Sequence, residues 1–98
     1  MPFLVETFIP AERDAQRNAT RPAHVAFIEA NVAVVLAAGA KLADDGTVGD
    51  GSFYLLDVLT RAEAESFVGA DPFVQAGLVD RVRVQRVRDA FFDRKRSA

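Results

Sequence analysis

Two strong local signals adjoin each other in the sequence Ser52-Phe53-Tyr54-Leu55-Leu56-Asp57-Val58-Leu59-Thr60-Arg61-Ala62-Glu63. The first is a strand, predicted over residues 52–58 because aromatic and aliphatic side chains dominate it. Successive side chains of a strand point to opposite faces of a sheet, so Phe53 and Leu55 share one face, and Tyr54, Leu56 and Val58 share the other. Since both faces are apolar, one should pack against helices and the other against a further layer, such as a second subunit.

The second signal is the start of a helix. Thr60 and Glu63 have the spacing of a capping box, in which the threonine side chain accepts from the amide three residues later and the glutamate reaches back. The helix is expected to end near Gly69 and to bury one apolar face, formed by Ala64, Phe67 and Val68.

Downstream of this helix, the sequence predicts a helical turn and a last strand. Asp71-Pro72 has the pattern of an N-cap followed by a first-turn proline, which predicts a single turn that stops at Gly77. Val82 and Val84 then alternate with polar residues as in a half-exposed strand. The alternation changes phase at Arg86-Val87, which predicts a β-bulge there.

Upstream, the chain predicts a strand, a long helix and a hairpin. The strand runs over Phe3–Ile9 and ends at Pro10, which has no amide hydrogen to donate. Residues 12–18 are expected to form a loop or a frayed turn. The helix is predicted to begin with Thr20 as N-cap and Pro22 in its first turn, and to end at Gly39 in the C′ position. Its apolar face would comprise Val25, Ile28, Val32, Val35 and Leu36, and a short strand around residues 40–42 and a glycine-rich hairpin loop would follow.

The resulting order is β-α-β-β-α-β, which predicts an α+β fold with a ferredoxin-like antiparallel sheet and both helices on one face. With 98 residues, 50% of them hydrophobic and 27% charged, the chain suits one small folded domain. It has no Cys, and a core of this size stabilises only marginally without disulfides. A homodimer is therefore expected.

Charge is distributed unevenly along the chain. Residues 1–80 carry 5 basic and 12 acidic side chains, whereas residues 81–98 carry 7 basic and 2 acidic ones. The isoelectric point near 5.3 is far below that of typical nucleic-acid-binding domains, so the basic end is interpreted as a solvated strand edge and tail. No apolar run is long enough for a membrane span or a signal peptide, and the absence of Cys gives no sign of secretion. We expect a cytoplasmic protein with no nucleic-acid or membrane partner.

His24 is the single histidine, and its side chain type titrates near neutral pH, which suits a general acid or base. A half-buried structural histidine is the alternative interpretation. Asp71 is a candidate for the carboxylate that would orient it, although capping alone also explains an Asp-Pro pair. One histidine with scattered carboxylates lacks metal-ligand spacing, so neither a metal nor another cofactor is predicted.

Three segments carry a family resemblance: Arg21-Pro22-Ala23-His24, the segment from Gly39 to Ser52 that ends in Gly51-Ser52, and Asp71-Pro72-Phe73 followed by Ala76-Gly77. Through them the chain resembles the YciI-like (YCII-related) family. The resemblance covers a domain of residues 1–88 and leaves residues 89–98 as a basic C-terminal tail. The last part of that tail, residues 93–98, is expected to be mobile because chain ends are rarely held in place. It implies ferredoxin-like subunits that pair sheet to sheet as a dimeric α+β barrel, with a cleft that holds His24 and Asp71 as a proposed catalytic pair.

Arg21 and Ser52 are the predicted substrate-binding residues, with a plain strand-start serine as the alternative for Ser52. The family includes an enzyme that removes HCl from a chlorinated hydroxylated aromatic. The resemblance therefore implies a lyase or isomerase that moves a proton on a small, cyclic, oxygenated molecule. The alternative is a non-catalytic dimeric module that binds a small molecule or a partner protein through the same cleft, because fold alone does not define function.

Overall fold

A four-stranded antiparallel sheet forms the centre of the structure, a computed structural model that describes residues 2–97. Met1 and Ala98, which begin the predicted domain and end the predicted tail, lie outside the described residues. The strands pair in the order β2-β3-β1-β4 and comprise β1 (Phe3–Phe8), β2 (Val35–Leu42), β3 (Val48–Leu56) and β4 (Arg81–Arg86).

Helices connect the strands in a way that defines the fold. A short 3-10 turn at Ala11–Arg13 leads into α1 (Asp14–Ala30), which joins β1 to β2. Between β3 and β4 the chain forms α2 (Arg61–Gly69) and the single turn α3 (Pro72–Gln75). The two strands of each βαβ unit are not adjacent in the sheet, because one strand of the other unit lies between them. This is the ferredoxin-like arrangement. The predicted α+β class is confirmed.

The core lies between the sheet and the helices. Inward-facing side chains of the two central strands are almost fully buried; they are Phe3, Val5, Tyr54 and Leu56. They form one cluster with Ala64 and Val68, which belong to the apolar face predicted for α2. Phe53 and Leu55 point to the opposite, open face and are only partly buried. The prediction that β3 is apolar on both faces is therefore confirmed, and its second face is left without a covering layer inside the subunit.

Helix α1 differs from its prediction at both ends. It begins at Asp14, so Thr20 lies within the helix and is not its N-cap, and Pro22 lies inside it as well. A proline at that position removes one backbone hydrogen bond, but the helix continues through it. The helix ends at Ala30, nine residues before Gly39, and Asn31 is its C-cap.

The segment after α1 is a strand where a helix was predicted. Val35 and Leu36 belong to β2, which extends to Leu42 and pairs with β3 along its length. Gly39 therefore lies opposite Phe53 in the sheet instead of ending a helix. The helical spacing of the valines misled the prediction because tertiary pairing overrides short local patterns.

The C-terminal part of the chain also departs from its prediction. β4 pairs with β1 in regular register and ends at Arg86, so no bulge is present there. Within the segment predicted as a tail, residues after the sheet form a two-stranded hairpin of β5 (Phe91–Phe92) and β6 (Lys95–Arg96), turned at Asp93 and Arg94. In residues 2–97, no helix has the length and apolar character needed to cross a membrane.

The capping box at the start of α2 provides a test of local stabilisation. The Thr60 hydroxyl oxygen accepts from the Glu63 amide at 3.1 Å, and the Thr60 hydroxyl lies 3.2 Å from the Glu63 carboxylate. Thr60→Ala should lower the free energy of unfolding by about 1 kcal/mol, measured by urea denaturation, because the amide loses its acceptor. Thr20→Ala is the matched control and should cost nothing, since alanine is favourable inside a helix. Equal losses for both variants would contradict the capping assignment.

Candidate active site

The carboxylate of Asp71 is completely buried and lies at the centre of a hydrogen-bonded cluster. As N-cap of α3, its Oδ1 accepts from the Phe73 amide at 2.9 Å, which is the predicted capping role. Its Oδ2 accepts from the Tyr54 hydroxyl at 2.5 Å. A buried carboxylate needs such donors, because burial of an uncompensated charge is costly.

His24 supplies a third donor to the same carboxylate. Its Nδ1 lies 2.9 Å from Asp71 Oδ1, and its ring stacks on Phe73 with centroids 4.1 Å apart. Because the carboxylate accepts, the proton of the neutral imidazole belongs on Nδ1, and Nε2 carries the lone pair. Hydrogen bond and stacking together hold the ring in one orientation with Nε2 available as a base.

Tyr54 is a donor that keeps its proton. Burial raises the pKa of its hydroxyl well above the ordinary value of 10.0, and the hydrogen bond to Asp71 and the charge of that carboxylate raise it further. The hydroxyl oxygen also lies 3.4 Å from His24 Nδ1. Tyr54 therefore serves as a fixed hydrogen-bond donor in the cluster and not as a base.

A cleft of about 240 Å³ lies between α1 and the β2-β3 edge of the sheet. His24 and both predicted substrate-binding residues, Arg21 and Ser52, contribute to its wall. The full lining is Arg17, Arg21, His24, Val25, Ile28, Ala38, Gly39, Ala40, Ser52 and Phe73, without an acidic residue. A wall with two arginines and no carboxylate suits a ligand with a negatively charged oxygen.

A larger surface cavity of about 470 Å³ lies elsewhere, beside Phe8, Asp50 and Arg81. None of the residues of the Asp71 cluster contributes to its lining. The smaller cleft is therefore the candidate active site, because it combines a concave surface with an oriented histidine.

Arg17 lies in the cleft wall although its side chain is nearly buried, with 3% of the residue exposed. Its guanidinium donates to the backbone carbonyls of Gly51 at 3.0 Å and Gly49 at 3.5 Å. Its Nε has no hydrogen-bond partner among the described residues. Arg17 thus ties α1 to β3 beside Ser52.

The structure brings together the predicted site residues His24, Asp71, Arg21 and Ser52, and it adds two neighbours that the sequence analysis did not include. Tyr54 follows Ser52 by two positions on one strand and so shares its face, which would have indicated it. Arg17 precedes Arg21 by four residues and His24 by seven, the spacing of one helical face. That signal could not be used while residues 12–18 were interpreted as a loop.

Residues 2–88 match the YCII-related domain family, and the chain belongs to that family. Among solved structures, the chain is similar to 5-chloro-2-hydroxyhydroquinone dehydrochlorinase (TftG) from Burkholderia phenoliruptrix in complex with 2,5-dihydroxybenzoquinone. The two are 30% identical with a TM-score of 0.79, over 90% of this chain and 94% of that one.

A second similar structure is a putative antibiotic biosynthesis monooxygenase from Bacteroides thetaiotaomicron. It is 17% identical with a TM-score of 0.57, over 93% of this chain and 90% of that one, and it supports the fold alone. Comparison with curated proteins gives no match.

Tyr54 is the single tyrosine of the chain, so phenolate absorbance reports on it alone. Because folding raises its pKa, the unfolded chain loses the proton first, near pH 10. This contribution to stability is complete below about pH 10 and decreases above it, by at most about 1.4 kcal/mol per pH unit.

Wild type should therefore show no phenolate absorbance while it remains folded. Its free energy of unfolding should decrease more steeply above about pH 10 than that of Tyr54→Phe, which lacks the titrating group. Denaturant unfolding of both proteins at several pH values checks this. Phenolate absorbance that appears in the folded protein near pH 10 would contradict the buried donor.

Proposed function

We propose that the protein is a small acid–base enzyme, a lyase or isomerase acting on a small, cyclic, oxygenated molecule. The observation that carries the proposal is the 2.9 Å contact between His24 Nδ1 and Asp71 Oδ1 at the wall of the cleft. In this role His24 is the general base and acid, and Asp71 is the residue that orients it and stabilises the imidazolium.

The proton transfer uses only groups of the cleft. His24 Nε2 takes a proton from the substrate, and the electron pair of the broken bond to hydrogen forms a new double bond. In an elimination, the leaving group departs with the electron pair of its own bond to carbon, so that the substrate loses the proton and the leaving group together. In an isomerisation, the imidazolium returns the proton to another atom of the ring. Either course needs an oriented base and a counter-charge, which Asp71 supplies.

Similarity to TftG supports the elimination. TftG is by its name a dehydrochlorinase, and its structure contains 2,5-dihydroxybenzoquinone, a six-membered ring with four oxygens. A compact oxygenated ring of this kind suits the volume of the cleft and the two arginines of its wall. Arg21 and Ser52 are the residues proposed to bind its oxygens, as charged and neutral donors respectively.

The proposal is tested with 5-chloro-2-hydroxyhydroquinone as substrate and chloride release as the readout. Wild type should release chloride, and His24→Gln should reduce the rate by about 100-fold or more, because a positioned base typically contributes that much. Glu29→Gln, an exposed residue of the same helix outside the cleft lining, is the control and should leave the rate unchanged.

The outcomes separate the two function classes. Chloride release that survives in His24→Gln would exclude His24 as the base. Binding of 2,5-dihydroxybenzoquinone to wild type without any turnover, measured by calorimetry, would favour the non-catalytic binding module.

We also propose that the functional unit is a homodimer formed through the open face of the sheet. Phe53 and Leu55 lie there half-buried, and Glu6 pairs with Lys41 and Arg83, which offsets charge on the same face. An apolar sheet face without a covering layer favours association with a second copy.

Sedimentation at micromolar concentration should therefore give a dimer for wild type and a monomer for Leu55→Glu, because the added charge would be buried in the interface. Leu59→Glu is the matched control: Leu59 lies beyond the end of β3 and is 77% exposed. A monomeric wild type would contradict the proposal.

A further inference from the structure

The Thr7 hydroxyl is fully buried next to the cleft, and the proton transfer proposed above does not use it. We infer that Thr7 is a positioning residue that directs the Ser52 hydroxyl proton into the cleft, so that Ser52 binds an acceptor oxygen of the ligand. This inference deepens the proposed function and rests on it for the identity of the ligand. It defines the ligand group at Ser52 as a carbonyl or an ionised hydroxyl oxygen.

Geometry places the two hydroxyl groups in a defined pair. Thr7 of β1 and Ser52 of β3 are direct partners in the sheet register and lie on the helix-facing side. Their hydroxyl oxygens are 2.7 Å apart, and the Ser52 amide donates to Thr7 Oγ1 at 3.2 Å. Ser52 contributes to the cleft wall, whereas Thr7 lies behind it.

The direction of the hydroxyl bond follows from counting donors. Each hydroxyl has one proton to donate and two lone pairs that accept. If Ser52 donated to Thr7, the Thr7 oxygen would accept both the amide and the hydroxyl, and the Thr7 proton would have no acceptor among the described residues. A buried donor without an acceptor is destabilising. If Thr7 donates to Ser52, both Thr7 bonds are satisfied and the Ser52 proton is free to point into the cleft.

Neighbouring groups fix this pair and set the charge of the subsite. The Gly51 backbone approaches β1 so closely that a Cβ atom built there would lie 1.8 Å from the Thr7 carbonyl oxygen. Arg17 donates to the Gly51 carbonyl, and its nearly buried side chain contributes to the cleft wall. The wall that contains the His24 base therefore also contains the Ser52 hydroxyl and the positive charge of Arg17.

A hydroxyl donor beside a positive charge stabilises negative charge that develops on a ligand oxygen when a proton is removed nearby. The substrate class that fits is an oxygenated ring whose electron pair, after proton loss to His24, is delocalised onto a carbonyl or hydroxyl oxygen held by Ser52.

Neutron diffraction from crystals of the deuterated protein tests the hydroxyl direction without any ligand. We expect the Thr7 deuteron between the two hydroxyl oxygens and the Ser52 deuteron directed to the cleft. A Ser52 deuteron located between the two oxygens would overturn the inference, whatever the protein binds or catalyses.

A double-mutant cycle tests the consequence for binding, with 2,5-dihydroxybenzoquinone as the probe and calorimetry as the measurement. Thr7→Val, nearly equal in shape, should weaken binding by roughly three- to tenfold, whereas Thr7→Ser should retain it because the donor is kept. In the Ser52→Ala background, Thr7→Val should have no further effect, since Thr7 acts only through Ser52.

Equal losses in both backgrounds would assign Thr7 a merely structural role and overturn the inference, and so would no loss in either background. Failure of wild type to bind the quinone would contradict the proposed substrate class instead. In that case the neutron result alone decides the direction of the hydroxyl pair.

Discussion

The buried carboxylate of Asp71 is the constraint on which the arrangement of this molecule depends. With none of its surface exposed, it must be compensated by donors, because an unpaired buried charge is strongly destabilising. The donors are the hydroxyl of Tyr54, the imidazole of His24 and the amide of Phe73. Since these belong to β3, α1 and α3, satisfying one side chain fixes how two helices are placed over the sheet.

One oxygen of that carboxylate serves both the fold and the site. Asp71 Oδ1 accepts from the Phe73 amide, which caps α3, and from His24 Nδ1, which orients the imidazole. Phe73 also has two roles, since its amide donates to Asp71 and its ring stacks on His24. The capping and orienting interpretations of Asp71 are therefore compatible. A substitution of Asp71 would disturb both at once, so the function of the cluster is better examined through His24 and Tyr54, which do not cap a helix.

How much could be predicted from the sequence depended on whether the signal was local. Caps are local, and the starts of α2 and α3 were correctly predicted from Thr60 and Asp71. Helix α1 was predicted wrongly because Pro22 is typical of a first turn but lies here inside the helix, which continues through it. That error hid Arg17, whose place on the His24 face is recognisable only when the helix begins at Asp14. The contact between His24 and Asp71 joins residues 47 positions apart, and local patterns contain no information about that distance.

Strand β2 is the element that the sequence predicts least well, and part of it forms the cleft wall. Its sequence, Val35-Leu36-Ala37-Ala38-Gly39-Ala40-Lys41-Leu42, is rich in alanine and glycine, which are poor strand formers. Ala38 and Ala40 lie opposite Tyr54 and Ser52 in the register and form part of the cleft wall. Larger β-branched side chains at these two positions would strengthen the strand signal, but they would project into the space next to His24. The cleft therefore requires small residues where strand propensity favours large ones, and conflicts of this kind between local preference and overall structure are expected at functional sites.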